Sequence, residues 1–291
     1  MSVLPLLTIQ DLRKSFGGVA AVGGVSFDVR LGQIVALIGT NGAGKTTMFN
    51  CINGQTRPDS GAVIYNPASL PTAERIRMEK EGTLDKQSAS HPINLTGLPP
   101  RRMARLGIGR TFQITATFAS MSVRENVQMV MIAHKKLWRR LWGTAGSLFR
   151  EEAMALLETV GLAAQAERHT ATLAYGDLKR LELAMALAND PKLLLMDEPT
   201  AGMGGEERDA LMRLVHGIAK KRHIGILFTE HDMDAVFTYA DWIIVVHRGK
   251  VIAKGNADSI KSNRNVREVY LGADSSNGTE GPLPFLHNHG T

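Results

Sequence analysis

The chain is predicted to be an α/β protein built on a mainly parallel sheet, and three observations predict it. Strand-like and helix-like segments alternate along most of its length. The segment 33–38 is apolar enough for a strand buried on both faces. A glycine-rich loop then joins that segment directly to a helical pattern.

In chain order, strands are expected at 7–12, at 25–29, where polarity alternates, and at 33–38. Helical spacing of apolar residues follows at 45–53, 123–134, 150–160, 178–189 and 206–220. Further buried strands are expected at 192–196, 224–229 and 242–246. The last of these, a turn at Arg248-Gly249 and the segment 251–253 read as a hairpin. Residues 66–100 are punctuated by Pro and Ser and only weakly periodic, which suggests an insertion or surface subdomain at about 66–95 with a short helix at 72–81. Residues 273–291, rich in Gly, Ser, Asn and Pro, are expected to form a disordered tail. His287 and His289 in that tail lack the further ligands a metal site needs. No internal repeat is evident.

Composition narrows the function. The 291 residues carry 34 Lys plus Arg against 28 Asp plus Glu, a formal net charge of +6. That mild excess fits an anionic ligand, a membrane surface or nucleic acid. Apolar residues at 44% and charged residues at 21% exclude wholesale disorder. No apolar run approaches the ~18–20 residues that cross a bilayer. The start has neither a positive n-region nor an apolar stretch of signal length, so a cytoplasmic setting is expected. The one cysteine, Cys51, excludes an internal disulfide and a cysteine zinc cluster.

The loop Gly39-Thr40-Asn41-Gly42-Ala43-Gly44-Lys45-Thr46 matches G-x-x-x-x-G-K-[ST], between a strand and a helix as phosphate binding requires. Its glycines let backbone N–H groups converge on phosphate oxygens, the helix start adds partial positive charge, and Lys45 reaches the terminal phosphates. Gly39, Asn41, Gly42, Ala43, Gly44, Lys45, Thr46 and Thr47 are the expected nucleotide contacts, with the Thr46 hydroxyl offered to Mg²⁺. The apolar run 193–196 ends in Asp197 and Glu198. Adjacent residues on an extended chain point apart, so Asp197 can face Mg²⁺ while Glu198 faces an attacking water. The strand 224–229 is followed by Glu230 and His231, and a parallel sheet brings its end to the same edge. His231 is the expected γ-phosphate contact there.

The order of these motifs carries a resemblance. The phosphate loop, Gln113 in Arg110-Thr111-Phe112-Gln113, then Leu173-Ala174-Tyr175-Gly176-Asp177, Asp197-Glu198 and His231 together resemble the ATP-binding subunit of an ABC transporter. Phe16-Gly17-Gly18, Arg180-Leu181-Glu182 and Tyr270-Leu271-Gly272 resemble in particular the Liv-type subunits, which energise import of branched-chain amino acids and have urea and amide importers as relatives. The resemblance implies a P-loop NTPase of the ABC ATPase type: one domain over 1–272, with a RecA-like core at about 1–112 and 190–272, an N-terminal antiparallel β region and a helical signature subdomain at about 113–189.

It also implies roles. Phe16 would stack on adenine, Gln113 would sense Mg²⁺ and the γ-phosphate, and Ala174 and Gly176 would address ATP held by a second ATP-binding subunit. Lys45, Glu198 and His231 would carry the chemistry. Two transmembrane permease subunits and, indirectly, a periplasmic or extracellular solute-binding protein are the implied partners, with the chain peripheral on the cytoplasmic face of the membrane and no nucleic acid bound. Two departures stand out. Ala174 replaces the Ser of the common LSGGQ signature and Asp177 its Gln, and 201–204 read Ala-Gly-Met-Gly where the family usually has an Asp. Unequal composite sites and a non-identical partner ATPase are therefore expected.

The basic stretch Lys135-Lys136-Leu137-Trp138-Arg139-Arg140-Leu141-Trp142 suits a helix end packed on the body, proximity to permease and membrane, or contact with nucleic acid. The alternative function is a soluble ABC-type ATPase acting on nucleic acid or translation. Relatives of that kind usually carry coiled-coil arms, zinc cysteines or two fused cassettes, which this chain lacks. A regulatory nucleotide-binding module without hydrolysis is disfavoured by Glu198 and His231 together.

Overall fold

The computed structural model of the protein describes residues 4–85, 87–111, 117–134 and 148–275. β1 (Leu7–Phe16) and β2 (Val19–Val29) pair antiparallel, with Phe16 opposite Val19. The two-residue turn Gly17-Gly18 has φ of 53° and 86°, a left-handed pair that glycine adopts without penalty. β3 (Ile34–Gly39) and α1 (Lys45–Ile52) follow, then β4 (Ser60–Tyr65), α2 (Thr72–Lys80), β5 (Ile93–Asn94), α3 (Pro100–Arg105) and β6 (Ile108–Arg110). Three helices, α4 (Val123–His134), α5 (Arg150–Thr159) and α6 (Tyr175–Leu187), make a helical lobe. The chain continues through β7 (Leu193–Asp197), α7 (Gly205–Arg222), β8 (Gly225–Thr229), α8 (Met233–Tyr239), β9 (Trp242–His247), β10 (Lys250–Gly255), α9 (Ala257–Ser262) and α10 (Arg264–Ser275).

Two sheets result. β2-β1-β4-β5 is antiparallel, and β10-β9-β3-β8-β7-β6 is parallel except for the hairpin edge strand β10. β3, β7 and β8 of the six-stranded sheet are buried on both faces, which explains their nearly unbroken apolar sequences. Ile34, Ala36 and Ile38 of β3 pack with the helical lobe and α7. Val35 and Leu37 of the same strand pack instead with the antiparallel sheet and with Phe49 of α1.

Differences from the expected elements have local causes. β1 runs on to Phe16 and β2 starts at Val19 because their outer ends are solvent-exposed and lack apolar alternation. α6 starts at Tyr175, three residues before the apolar period shows. α8 and α9 were not apparent from periodicity, being only seven and six residues long, yet each is capped. Asp232 accepts from the Ala235 N–H at 2.9 Å and Asn256 from the Ser259 N–H at 3.0 Å. α10 continues to Ser275, so residues 273–275, expected as the start of a disordered tail, are helical. The rest of that tail and the stretch 135–142 lie outside the described residues.

Residues 66–95 are woven into the body. Leu70, Met78, Leu84, Ala89 and Leu95 are buried in the core beneath the antiparallel sheet. The Leu95 N–H donates to Val63 O at 2.8 Å, and Lys192 Nζ, just before β7, lies 2.7 Å from Glu74 Oε1 of α2. Among the described residues, no helix is long and apolar enough to cross a membrane. Because Leu95 is 1% exposed, Leu95→Ala should destabilise the protein by about 2–5 kcal/mol. Urea unfolding measures this, and a neutral result would make the segment a dispensable surface addition.

Candidate active site

The phosphate loop is shaped by close backbone approach. Gly42 and Gly44 have φ of 76° and 96°. A Cβ at Gly44 would lie 2.1 Å from Ala21 O of β2, and one at Gly39 would lie 2.2 Å from Val246 O of β9. Neither position admits a side chain. The Gly249 N–H donates to Ala43 O at 2.9 Å, and the Gly23 N–H to Gly249 O at 2.8 Å, so β2 and the β9–β10 turn both brace the loop. Asn41, Gly42 and Thr46 are exposed, while Ala43 and Lys45 are buried.

Lys45 folds back into its own loop. Its Nζ donates to Gly39 O at 2.7 Å and to Thr40 O at 3.2 Å. Burial pushes its ammonium below the usual lysine range, against the Glu198 and Asp197 carboxylates, which favour its charge. The amine is thus held at the loop's centre, with both carboxylates within electrostatic reach.

Those carboxylates stand at the end of β7, where the parallel register sets Asp197 opposite Thr229 of β8. The Thr229 hydroxyl donates to Asp197 Oδ1 at 2.7 Å and accepts the Glu198 N–H at 3.0 Å. Asp197 is buried and closely oriented. Glu198 has a φ of 48°, a conformation that costs a non-glycine residue free energy and persists only when its surroundings enforce it. Its Oε1 lies 2.7 Å from His231 Nε2. Lys45, Asp197, Glu198 and His231 therefore gather at the carboxyl edge of β3, β7 and β8, where open α/β sheets bind ligands.

Other expected residues sit elsewhere. Phe16 is 54% exposed at the tip of the β1–β2 hairpin, with Lys14 Nζ 5.3 Å from its ring centroid. Thr47 is partly exposed in the first turn of α1. Ala174 is the N-cap of α6 and Gly176 its second residue, and a Cβ at Gly176 would meet Met203 and Glu207 rather than the phosphate loop. Gln113 lies outside the described residues. The Thr46 hydroxyl and the Asp197 carboxylate are hard oxygen donors of the kind that Mg²⁺ takes.

Among the polar residues of the site, Thr229 and Thr200 were not singled out from sequence, and Glu230 was named without a role. Thr229 could have been found by aligning the ends of the two predicted strands. Glu230 and Thr200 bond each other across the site, the buried Glu230 carboxylate accepting both the Thr200 N–H, at 3.0 Å, and its hydroxyl. A long-range pair of that kind leaves no periodic trace.

The chain is similar to known proteins over most of its length. A family model described as ABC transporter matches residues 22–201. The high-affinity branched-chain amino acid transport ATP-binding protein LivG of Salmonella typhimurium is 36% identical over 277 residues, covering 92% of this chain and 98% of that protein. BraF of Pseudomonas aeruginosa, which bears the same description, is 35% identical over 275 residues, with the same coverage. Among solved structures, the ADP conformation of MJ1267, an ATP-binding cassette of an ABC transporter, superposes with a TM-score of 0.75 at 28% identity, covering 92% of this chain and 99% of that one. A match of this extent in both sequence and fold places the chain in the ABC transporter family, among its ATP-hydrolysing, nucleotide-binding cassettes.

Proposed function

We propose that this cassette powers uptake of branched-chain amino acids, or of a related small amide such as urea, through a membrane permease. The observation that carries the reading is the gathering of Lys45, Asp197, Glu198 and His231 at one sheet edge, in a chain whose relatives are branched-chain amino acid transport subunits over 92% of its length. Relatives of that kind do not favour the nucleic-acid alternative.

The positions of the described groups support a catalytic reading. The loop amides and Lys45 bind the β- and γ-phosphates, for which Lys45 must exchange its bonds to Gly39 O and Thr40 O. Thr46 and Asp197, with Gln113, would hold Mg²⁺, which would supply positive charge beside the phosphoryl oxygens. Glu198 orients the water that attacks the γ-phosphorus as the bond to the ADP oxygen breaks, and His231 contacts the transferring group. Phe16 offers its exposed face to the base. Ala174 and Gly176 present the N-terminus of α6, and its dipole, to nucleotide held by a second, non-identical ATP-binding subunit. Two permease subunits and a solute-binding protein complete the assembly, with this chain peripheral on the cytoplasmic face.

Glu198→Gln should keep ATP affinity while turnover falls about a hundredfold or more; nucleotide binding and phosphate release measured side by side decide it, and wild-type turnover would sink the assignment. Thr229→Val keeps the shape but strips the hydroxyl between Asp197 and Glu198. It should cost about 1–3 kcal/mol in chemical denaturation and lower turnover as well. In vesicles holding the complete transporter, ATP should drive accumulation of labelled leucine. Accumulation of urea with no response to leucine would move the solute to the amide class.

A further inference from the structure

The turn that follows Glu198 is held from two sides. On the β8 side, the Glu198 N–H donates to Thr229 O at 3.2 Å and to its hydroxyl at 3.0 Å. Within the turn, the Ala201 N–H donates to Glu198 O at 3.1 Å. On the other side, the Tyr175 hydroxyl donates to Ala201 O at 3.0 Å. Gly202 comes next at a φ of 79°, and a Cβ there would lie 3.5 Å from Tyr175 Cε1, so the ring packs flush against the turn.

Tyr175 is the first residue of α6, in the helical lobe. Lys179, one turn on, places its Nζ 5.5 Å from the Tyr175 ring centroid and pairs with Glu182 at 3.2 Å, both of these charged side chains being buried. The ring, 43% exposed, therefore contacts both its own helix and the turn. The left-handed backbone of Glu198 needs external enforcement, and the hydroxyl supplies part of it from a different lobe of the molecule.

We infer that Tyr175 is a positioning residue for Glu198: through Ala201 it fixes the turn that keeps the carboxylate in place, so that the seating of α6 governs turnover in the same subunit. The inference rests on Glu198 being the residue that orients water. A shift of the helical lobe that withdrew the hydroxyl would remove one of the restraints on the turn after Glu198, while the phosphate loop stayed formed. Nucleotide would then still bind, with the water-orienting carboxylate less firmly held.

The test is Tyr175→Phe in the full chain assembled with its transmembrane partners. kcat should fall about three- to tenfold, the size that one neutral hydrogen bond carries, while KM for ATP and the melting temperature stay as in the wild type. An unchanged kcat overturns the inference. So does a raised KM with kcat intact, or a loss of turnover matched by a drop in melting temperature. Glu198→Gln in the same assembly separates the two layers: if it hydrolyses normally the underlying reading fails, whereas if it is inactive and Tyr175→Phe is not slowed, only the role of Tyr175 fails.

Discussion

β8 lies between β3 and β7 and is in register with both, Ile226 facing Ile34 on one side and Leu194 on the other. Strands far apart in sequence thereby end on one line. The phosphate loop leaves β3, the carboxylate pair leaves β7 and His231 follows β8, so a displaced register would separate groups that the fold now brings together. Because side chains alternate along a strand, a one-residue slip would also turn every apolar residue of β8 to the opposite face, against both cores. Packing and chemistry are thus served by the same alignment.

The loop illustrates how little of a binding site needs side chains. Gly39 and Gly44 are there because carbonyl groups of other strands occupy the volume a Cβ would need, and Lys45 is accommodated in a poorly solvated place by carbonyl oxygens of its own loop. A buried ammonium is costly unless compensated. Phosphate oxygens, carrying full negative charge, compensate it better than carbonyls do, so the loop is already arranged for an anion.

Much of this was legible in the sequence. The central strands were readable because burial on both faces makes them continuously apolar, and the phosphate loop because backbone geometry dictates its glycines. Long helices such as α4 were readable from their period. Short elements were not: β5 has two residues and β6 three, too few for any period to develop. The segment 66–95 reads as an addition because its buried residues are scattered among polar ones, although together they close the core. In the candidate site, the residues that stand in motifs were apparent, whereas Thr229, Thr200, Glu230 and the hydroxyl of Tyr175 bond partners 26 to 32 positions away. Spacing within one segment carries no record of such pairs.

The alternate side chains of β3 enter two different cores, Ile34, Ala36 and Ile38 one of them and Val35 and Leu37 the other. Each core borrows a wall from a strand the other also needs. The helical and antiparallel parts of the molecule consequently cannot melt in turn without exposing the far side of β3, and the architecture couples them into one cooperative unit. The helical and antiparallel parts of this cassette therefore share one strand as a common wall, and a change that loosens β3 is felt on both of its sides.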